Sequence, residues 1–120
     1  MIDTIKNVGV LGLGVMGFDI AFLYAQKGYR TLVYDASETA MKNLASRRDQ
    51  TIERLQRRNR ISEVEAEHVK QGLVAAAGLA DMARAELVTE AVSESGKTKK
   101  TVYRALHDTG FTGTLTTNTS

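Results

Sequence analysis

Val8-Gly9-Val10-Leu11-Gly12-Leu13-Gly14-Val15-Met16-Gly17 is an apolar run that breaks into three glycines spaced G-x-G-x-x-G. It reads as a strand, a tight turn and the start of a helix. Gly12 permits the sharp turn, Gly14 lets the backbone approach a pyrophosphate, and Gly17 lets the helix sit close to the strand. Phosphates would then lie on the helix N-terminus. Unpaired N–H groups and the positive end of the helix dipole meet there, so anion binding needs no basic side chain.

The flanking sequence supports this reading. The run before Gly12 is rich in Val and Leu, as a strand buried on both faces should be, and Met16 to Lys27 carries Ile20, Leu23, Tyr24 and Lys27 at helical spacing. Gly28 supplies a stop. A second strand, Arg30-Thr31-Leu32-Val33-Tyr34, ends in Asp35, eighteen positions after Gly17. A dinucleotide-binding unit places there the carboxylate that accepts the ribose hydroxyls of NAD. Ala36 follows Asp35 with no adjacent Arg, which favours NAD over NADP. The competing reading is a tight glycine turn in an α/β sheet that holds no ligand, with Asp35 as a turn residue.

A chain of 120 residues is large enough for one domain with a core and short for a two-domain enzyme. At 42% hydrophobic and 25% charged residues, with no apolar stretch long enough to span a bilayer, the composition is that of a globular protein without a membrane segment, and Met1 to Lys6 passes straight into the first strand without an export pattern, so a cytoplasmic protein is expected. There is no cysteine, which excludes disulfides and thiolate chemistry. His68 and His107 stand far apart with no ligand spacing, so no metal site is expected. The net charge of +2 calls for no polyanionic partner, and the Arg-rich segment lacks the interleaved aromatics of a nucleic-acid surface.

Ser37 is a candidate N-cap for a long basic helix from about Glu38 to Asn59, whose apolar stripe of Met41, Leu44, Ala45, Ile52 and Leu55 is interrupted by Arg48. Ser62-Glu63-Val64-Glu65 is a capping box opening a second thinly apolar helix. The two predict a helical hairpin, about 38–72, that leans out from the sheet and is not a layer of the core. Leu73 to Ala77 reads as a short strand, Leu79 to Arg84 as one helical turn, and Leu87 to Val92 as a further strand. A helix from about Lys97 to His107 turns Val102, Tyr103 and Leu106 inward, and Thr112 to Thr117 is a last, weaker strand. Strands alternating with helices predict an α/β fold, a doubly wound (Rossmann) parallel sheet with a projecting helical hairpin. Ligands of such sheets bind beyond the carboxyl ends of the strands, where strand order reverses. That rule gathers Gly12 to Gly17, Asp35, Val92 to Glu94 and Asn118 to Ser120 on one rim.

With those segments in view, the chain resembles the NAD-binding domain of the 3-hydroxyacyl-CoA dehydrogenases. Three segments carry the match: Val8 to Gly17, then Leu87-Val88-Thr89-Glu90-Ala91-Val92-Ser93-Glu94 with Lys97 and Lys99, then Thr117-Asn118-Thr119-Ser120. The resemblance gives Gly12, Leu13, Gly14, Val15, Met16 and Gly17 the pyrophosphate and Asp35 the adenosine ribose. It places Glu94 and Lys99 near the nicotinamide half, Ser120 on the substrate oxygen with Asn118 beside it, and Thr51 and Arg58 against coenzyme A.

Three departures stand out. Phe18 and Asp19 replace the small residues that usually follow the third glycine, and Asp19 should point away from a pyrophosphate. Ser95-Gly96 replaces a better helix-nucleating pair. The family's histidine base and its helical catalytic and dimerisation domain lie beyond the Asn-Thr-Ser turn and are absent from these residues. A base must reach the hydroxyl proton within about 3 Å, directly or through one water. The expectation is a chain that binds NAD but does not oxidise 3-hydroxyacyl-CoA by itself, the acyl-CoA being a partner of the complete enzyme. A non-catalytic NAD-binding sensor or assembly module is the alternative. A homodimer is open to it through the terminal strand and the hairpin.

Overall fold

Val8, Val10 and Leu11 are fully buried because the strand that carries them, β1 (Asn7–Leu11), lies at the centre of the sheet with helices on both faces. The computed structural model describes residues 6–91 and 96–117, with the side chains of 96–99 outside that description. After β1 come α1 (Val15–Gln26), β2 (Arg30–Tyr34), α2 (Glu38–Arg57), α3 (Glu63–Gly72) and β3 (Leu73–Ala75). A 3-10 turn at Leu79–Arg84 leads to β4 (Leu87–Glu90), α4 (Gly96–Asp108) and β5 (Thr114–Thr117).

The five strands stand in the order β3-β2-β1-β4-β5, and every neighbouring pair is parallel. The chain runs outward from β1 through β2 to β3, then returns across β1 to build β4 and β5. The reversal falls between β1 and β4, as expected for a doubly wound sheet. Leu11 pairs with Tyr34 on one side and Glu90 on the other, so Gly12, Asp35 and Ala91 leave the sheet at one height.

Period-2 alternation sorts the core into two layers. Val10 and Val33 face α1 and the α2–α3 hairpin, where Leu13, Phe18, Phe22, Val69 and Leu73 join them. Leu11 and Val88 face the other way, against Met82, Ala85 and Leu106. Local chemistry sets the helix ends. The Ser37 Oγ accepts from the Ala40 N–H at 3.2 Å, and Ser62 and Glu65 form a reciprocal capping box with both bonds at 3.0 Å. The Ser62 N–H and then the Gln26 amide hold the Glu65 carboxyl below its ordinary pKa. Gly28 and Gly110, at φ +98° and +88°, turn the chain after α1 and α4.

Two expectations are corrected. The inward face of α1 is Phe18, Ala21, Phe22 and Ala25; Ile20 and Tyr24 flank it, while Leu23 is 53% exposed and Lys27 also faces solvent. Contact of Gly17 with the turn fixes the helix rotation, and Ala21 and Ala25 follow on that face at intervals of four. The hairpin, in turn, is not outside the core. Leu44 and Ile52 of α2 and Ala66 and Val69 of α3 are buried in the same cluster as Phe18 and Val33. Arg48 does not break that face, because its guanidinium reaches the Lys70 and Leu73 carbonyls at 3.4 Å each and Asp49 at 2.9 Å. A long cationic stem can cover apolar surface while its head stays bonded.

Candidate nucleotide-binding site

The turn between β1 and α1 can be followed one polar group at a time. Gly12 adopts φ +103°, which a side chain would strain, and its N–H donates to the Tyr34 carbonyl at 2.9 Å. The Leu13 N–H donates to Asp35 Oδ2 at 2.7 Å, and the Leu13 carbonyl accepts from Arg47 Nη1 at 2.7 Å. Arg47 lies over the Phe18 ring, 4.3 Å from its centroid. A Cβ on Gly17 would collide with the Gly12 carbonyl oxygen, so only glycine lets α1 start this close to the turn.

Gly14 differs from the other two. It is the N-cap of α1 at φ −66° and ψ −170°, no side chain caps the helix, and no heavy atom lies within 4 Å of where its Cβ would be. The first four N–H groups of a helix have no partner within it. At this terminus Gly14 lines a cavity of about 500 Å³ between β1 and β4, walled by Gly12, Gly14 and Asp35 on one side and Ala91, Val102 and Ala105 on the other. A second hollow of about 590 Å³, with Glu38, Lys42 and Ala76, adjoins it, and Tyr34, Asp35 and Ala36 line both.

Asp35 therefore stands between the two hollows. Its Oδ1 accepts from the Ser37 N–H at 2.8 Å, and its other oxygen holds Leu13. An ionised carboxylate offers about four acceptor positions, which leaves room for a pair of ribose hydroxyls. Uncapped N–H groups, open space over Gly14 and an acid at the β2 end together fit a dinucleotide. Asp19 is exposed, and Phe18 is buried in the core, so neither departure in this helix obstructs the turn.

The opposite side of the rim is held differently. Glu90, the last residue of β4, is fully buried, and its Oε1 accepts from the Tyr103 hydroxyl at 2.9 Å and Thr117 Oγ1 at 3.0 Å. That bond to Glu90, with burial second, pushes the Tyr103 phenol above its ordinary pKa. On the other face, Thr89 Oγ1 lies 3.1 Å from Thr116 Oγ1 and 3.4 Å from the Tyr24 hydroxyl.

The structure brings Gly12, Gly14 and Asp35 together. Val15 and Met16, at 76% and 56% exposure, continue the open helix start, and the side chain of Leu13 is buried in the core. Glu94, Asn118 and Ser120 lie outside the described residues; Lys99 falls in the first turn of α4, its side chain outside the description. Thr51 and Arg58 are not brought to this rim's cavity: Thr51 Oγ1 bonds the Arg47 carbonyl of its own helix at 2.7 Å, and Arg58 is exposed at the far end of α2. His68, 3.4 Å from the Gln26 carbonyl, and His107, in the last turn of α4, both sit away from the phosphate end. Among the described residues no group of His, Cys, Asp and Glu could hold a metal, and no helix is long and apolar enough to cross a membrane.

Sequence reasoning missed Arg47 and Glu90. Glu90 carried a signal, since a carboxylate in a strand buried on both faces must find partners. For Arg47 the only hint was the unusual size of Phe18.

Residues 7–120 match the family described as 3-hydroxyacyl-CoA dehydrogenase, NAD binding domain. The whole chain is 31% identical to the 3-hydroxyadipyl-CoA dehydrogenase of Escherichia coli K12, of which it covers 26%. Over 88% of its length it is 30% identical to a 3-hydroxybutyryl-CoA dehydrogenase of Mycobacterium tuberculosis, of which it covers 37%. The crystal structure of M. tuberculosis FadB2 superimposes on 97% of the chain with a TM-score of 0.88 at 29% identity, the overlap being 41% of that chain. The chain thus spans about a quarter to two fifths of these proteins.

Proposed function

The chain belongs to the 3-hydroxyacyl-CoA dehydrogenase NAD-binding family, and from that premise we propose that it is the cofactor half of an oxidoreductase that converts a 3-hydroxyacyl-CoA to the 3-keto product. NAD supplies the hydride acceptor. The observation that carries the reading is Gly14: a helix start with no side-chain cap, with open space where a Cβ would stand, lining the cavity whose far wall is Ala91 and Val102.

The chain's own residues divide the work. The N–H groups of Gly14, Val15, Met16 and Gly17 bind the pyrophosphate, and Leu13 holds the turn from beneath. Asp35 takes the adenosine ribose through its spare acceptor positions and disfavours a 2′-phosphate. Glu94 and Lys99 serve the nicotinamide half, and Ser120 with Asn118 the substrate oxygen. Thr51 and Arg58 serve coenzyme A, the Arg by paired hydrogen bonds to phosphate.

Residues 1–120 by themselves bind NAD without turning over substrate, because His68 and His107 lie away from the rim. That same observation favours, as the second reading, a non-catalytic NAD-binding sensor or assembly module. Calorimetric titration of the purified chain should give saturable NAD binding that is tighter than NADP binding. No NAD binding, or tighter NADP binding, overturns the cofactor reading. Oxidation of 3-hydroxyacyl-CoA by the same 120 residues at rates typical of enzymes overturns their inactivity and the second reading together.

A further inference from the structure

The Leu13–Gly14 peptide is the point where the phosphate-binding turn meets a side chain from another element. Its carbonyl accepts from Arg47 Nη1 at 2.7 Å, and Arg47 is 34 positions away, in the middle of α2. A trans peptide holds its C=O and N–H in one plane and pointing in opposite directions. Anchoring the Leu13 carbonyl on the α2 side therefore aims the Gly14 N–H away from α2, toward the cavity that Gly14 lines. Without the anchor, that peptide is held only through its neighbours, the Leu13 N–H on Asp35 and the Gly14 carbonyl on the Phe18 N–H.

We propose that Arg47 is a positioning residue for the pyrophosphate, acting through the Leu13–Gly14 peptide, with Phe18 as its platform; this rests on reading the turn as the NAD-phosphate site. The guanidinium carbon lies over the Phe18 ring, 4.3 Å from its centroid, while Nη1 donates to the carbonyl, so the ring supports the head that holds the peptide. Arg suits this because its planar head can stack and donate at once, which an ammonium cannot do equally well. Phe18 itself stays in place through Phe22, 6.1 Å away between centroids.

Arg47 also brings a positive charge to the turn, on the Leu13 carbonyl, while the Asp35 carboxylate sits on the Leu13 N–H. The described residues pair Arg48 with Asp49 and Arg57 with Glu53, but give Arg47 no carboxylate. A half-buried cation directed at a backbone carbonyl behind the turn adds positive potential where phosphate charge would lie. Phe18 and Arg47 thus give a use to the bulky residue that follows the third glycine.

The test titrates NAD, ADP and adenosine into the purified chain and its Arg47→Ala, Arg47→Lys and Phe18→Leu variants. Arg47→Ala should weaken NAD and ADP about tenfold, equivalent to about 1.4 kcal/mol, and leave adenosine, which has no phosphate, unchanged. Arg47→Lys keeps the charge and the stem but not the stack, and should fall between; Phe18→Leu should resemble it. Equal affinity of wild type and Arg47→Ala for NAD overturns the proposal, as does an equal loss for adenosine, which marks general damage. The amide resonances of Leu13 and Gly14 give a readout that needs no ligand. In Arg47→Ala both should shift, and the Leu13 amide, which Asp35 protects, should exchange faster while those of β2 and β4 hold; unchanged amides overturn the proposal. Failure of the wild type to bind NAD defeats the reading of the site instead, and the amide readout still decides the role of Arg47.

Discussion

The two sides of the rim use opposite means to hold their shape. On the β1–β2 side, backbone groups do the holding: the Gly12 N–H on Tyr34, the Leu13 N–H on Asp35, the Leu13 carbonyl on Arg47. On the β4–β5 side a buried side chain does it, with Glu90 gathering hydroxyls from α4 and β5. The first arrangement leaves helix N–H groups open to a ligand. The second uses its polar atoms internally and ties down a strand whose four residues are all exposed. Ligand affinity should therefore be sensitive on one side, and fold stability on the other.

The largest effect expected is at Gly17, where both properties fail together. Gly17→Ala sets a methyl against the Gly12 carbonyl, a backbone atom that cannot rotate aside, so either the helix or the turn must move. Urea unfolding should show a loss of about 3 kcal/mol, and NAD binding should disappear. If Gly17→Ala unfolds like wild type and binds NAD, the turn is softer than the contrast between the two sides assumes.

Glu90 tests the other side. Glu90→Ala leaves the Tyr103 and Thr117 hydroxyls without their acceptor and should cost about 2 kcal/mol, with Glu90→Gln, which keeps an oxygen there, costing about 1. ADP affinity should stay within about twofold in both variants, because the phosphate turn is a separate network. A large fall in ADP affinity would show that the two sides are one unit.

Gly14 isolates affinity from stability on the glycine side. Its φ of −66° is open to any residue and nothing lies within 4 Å of the added methyl, so Gly14→Ala should change stability by no more than about 0.5 kcal/mol. The methyl would project into the phosphate space and should weaken NAD about tenfold. Stability and affinity that fall together would mean that the space over Gly14 is structural.

These differences also explain what the sequence reveals. Glycine spacing reports backbone geometry directly, so the turn, the parallel sheet and Asp35 could all be read from Gly12, Gly14, Gly17 and the distance to the β2 end. Helical periodicity was a poorer guide in α1. Its apolar residues nearly encircle the helix, and it was the Gly17 contact, invisible to a period count, that chose Phe18, Ala21 and Phe22 for the core. The hairpin looked too thinly apolar to join the core because Ala66 contributes little hydrophobicity on paper, yet being small it can pack closely against its neighbours. Arg47 and Glu90 were hidden for a common reason. Each acts on residues at least 13 positions away, Leu13 in one case and Tyr103 and Thr117 in the other, and only the fold brings them together.

The smallest effect lies in the pH dependence of the Glu90 side. The Tyr103 phenol is held above its ordinary value near 10 chiefly because its proton is shared with the Glu90 carboxylate. A group whose folded pKa is raised contributes stability that is complete below the unfolded value and is lost as pH rises through the folded one. Tyr103→Phe should therefore be less stable than wild type by about 1 kcal/mol at neutral pH, the worth of one hydrogen bond. That gap should close above pH 10, where the wild type loses the bond as its phenol ionises. No corresponding alkaline limb should separate Gly14→Ala from wild type, because that substitution removes no titrating group. Urea midpoints measured from pH 7 to pH 11 check both curves, and a Tyr103→Phe gap that stays constant into the alkaline range would mean that the phenol and Glu90 are not coupled.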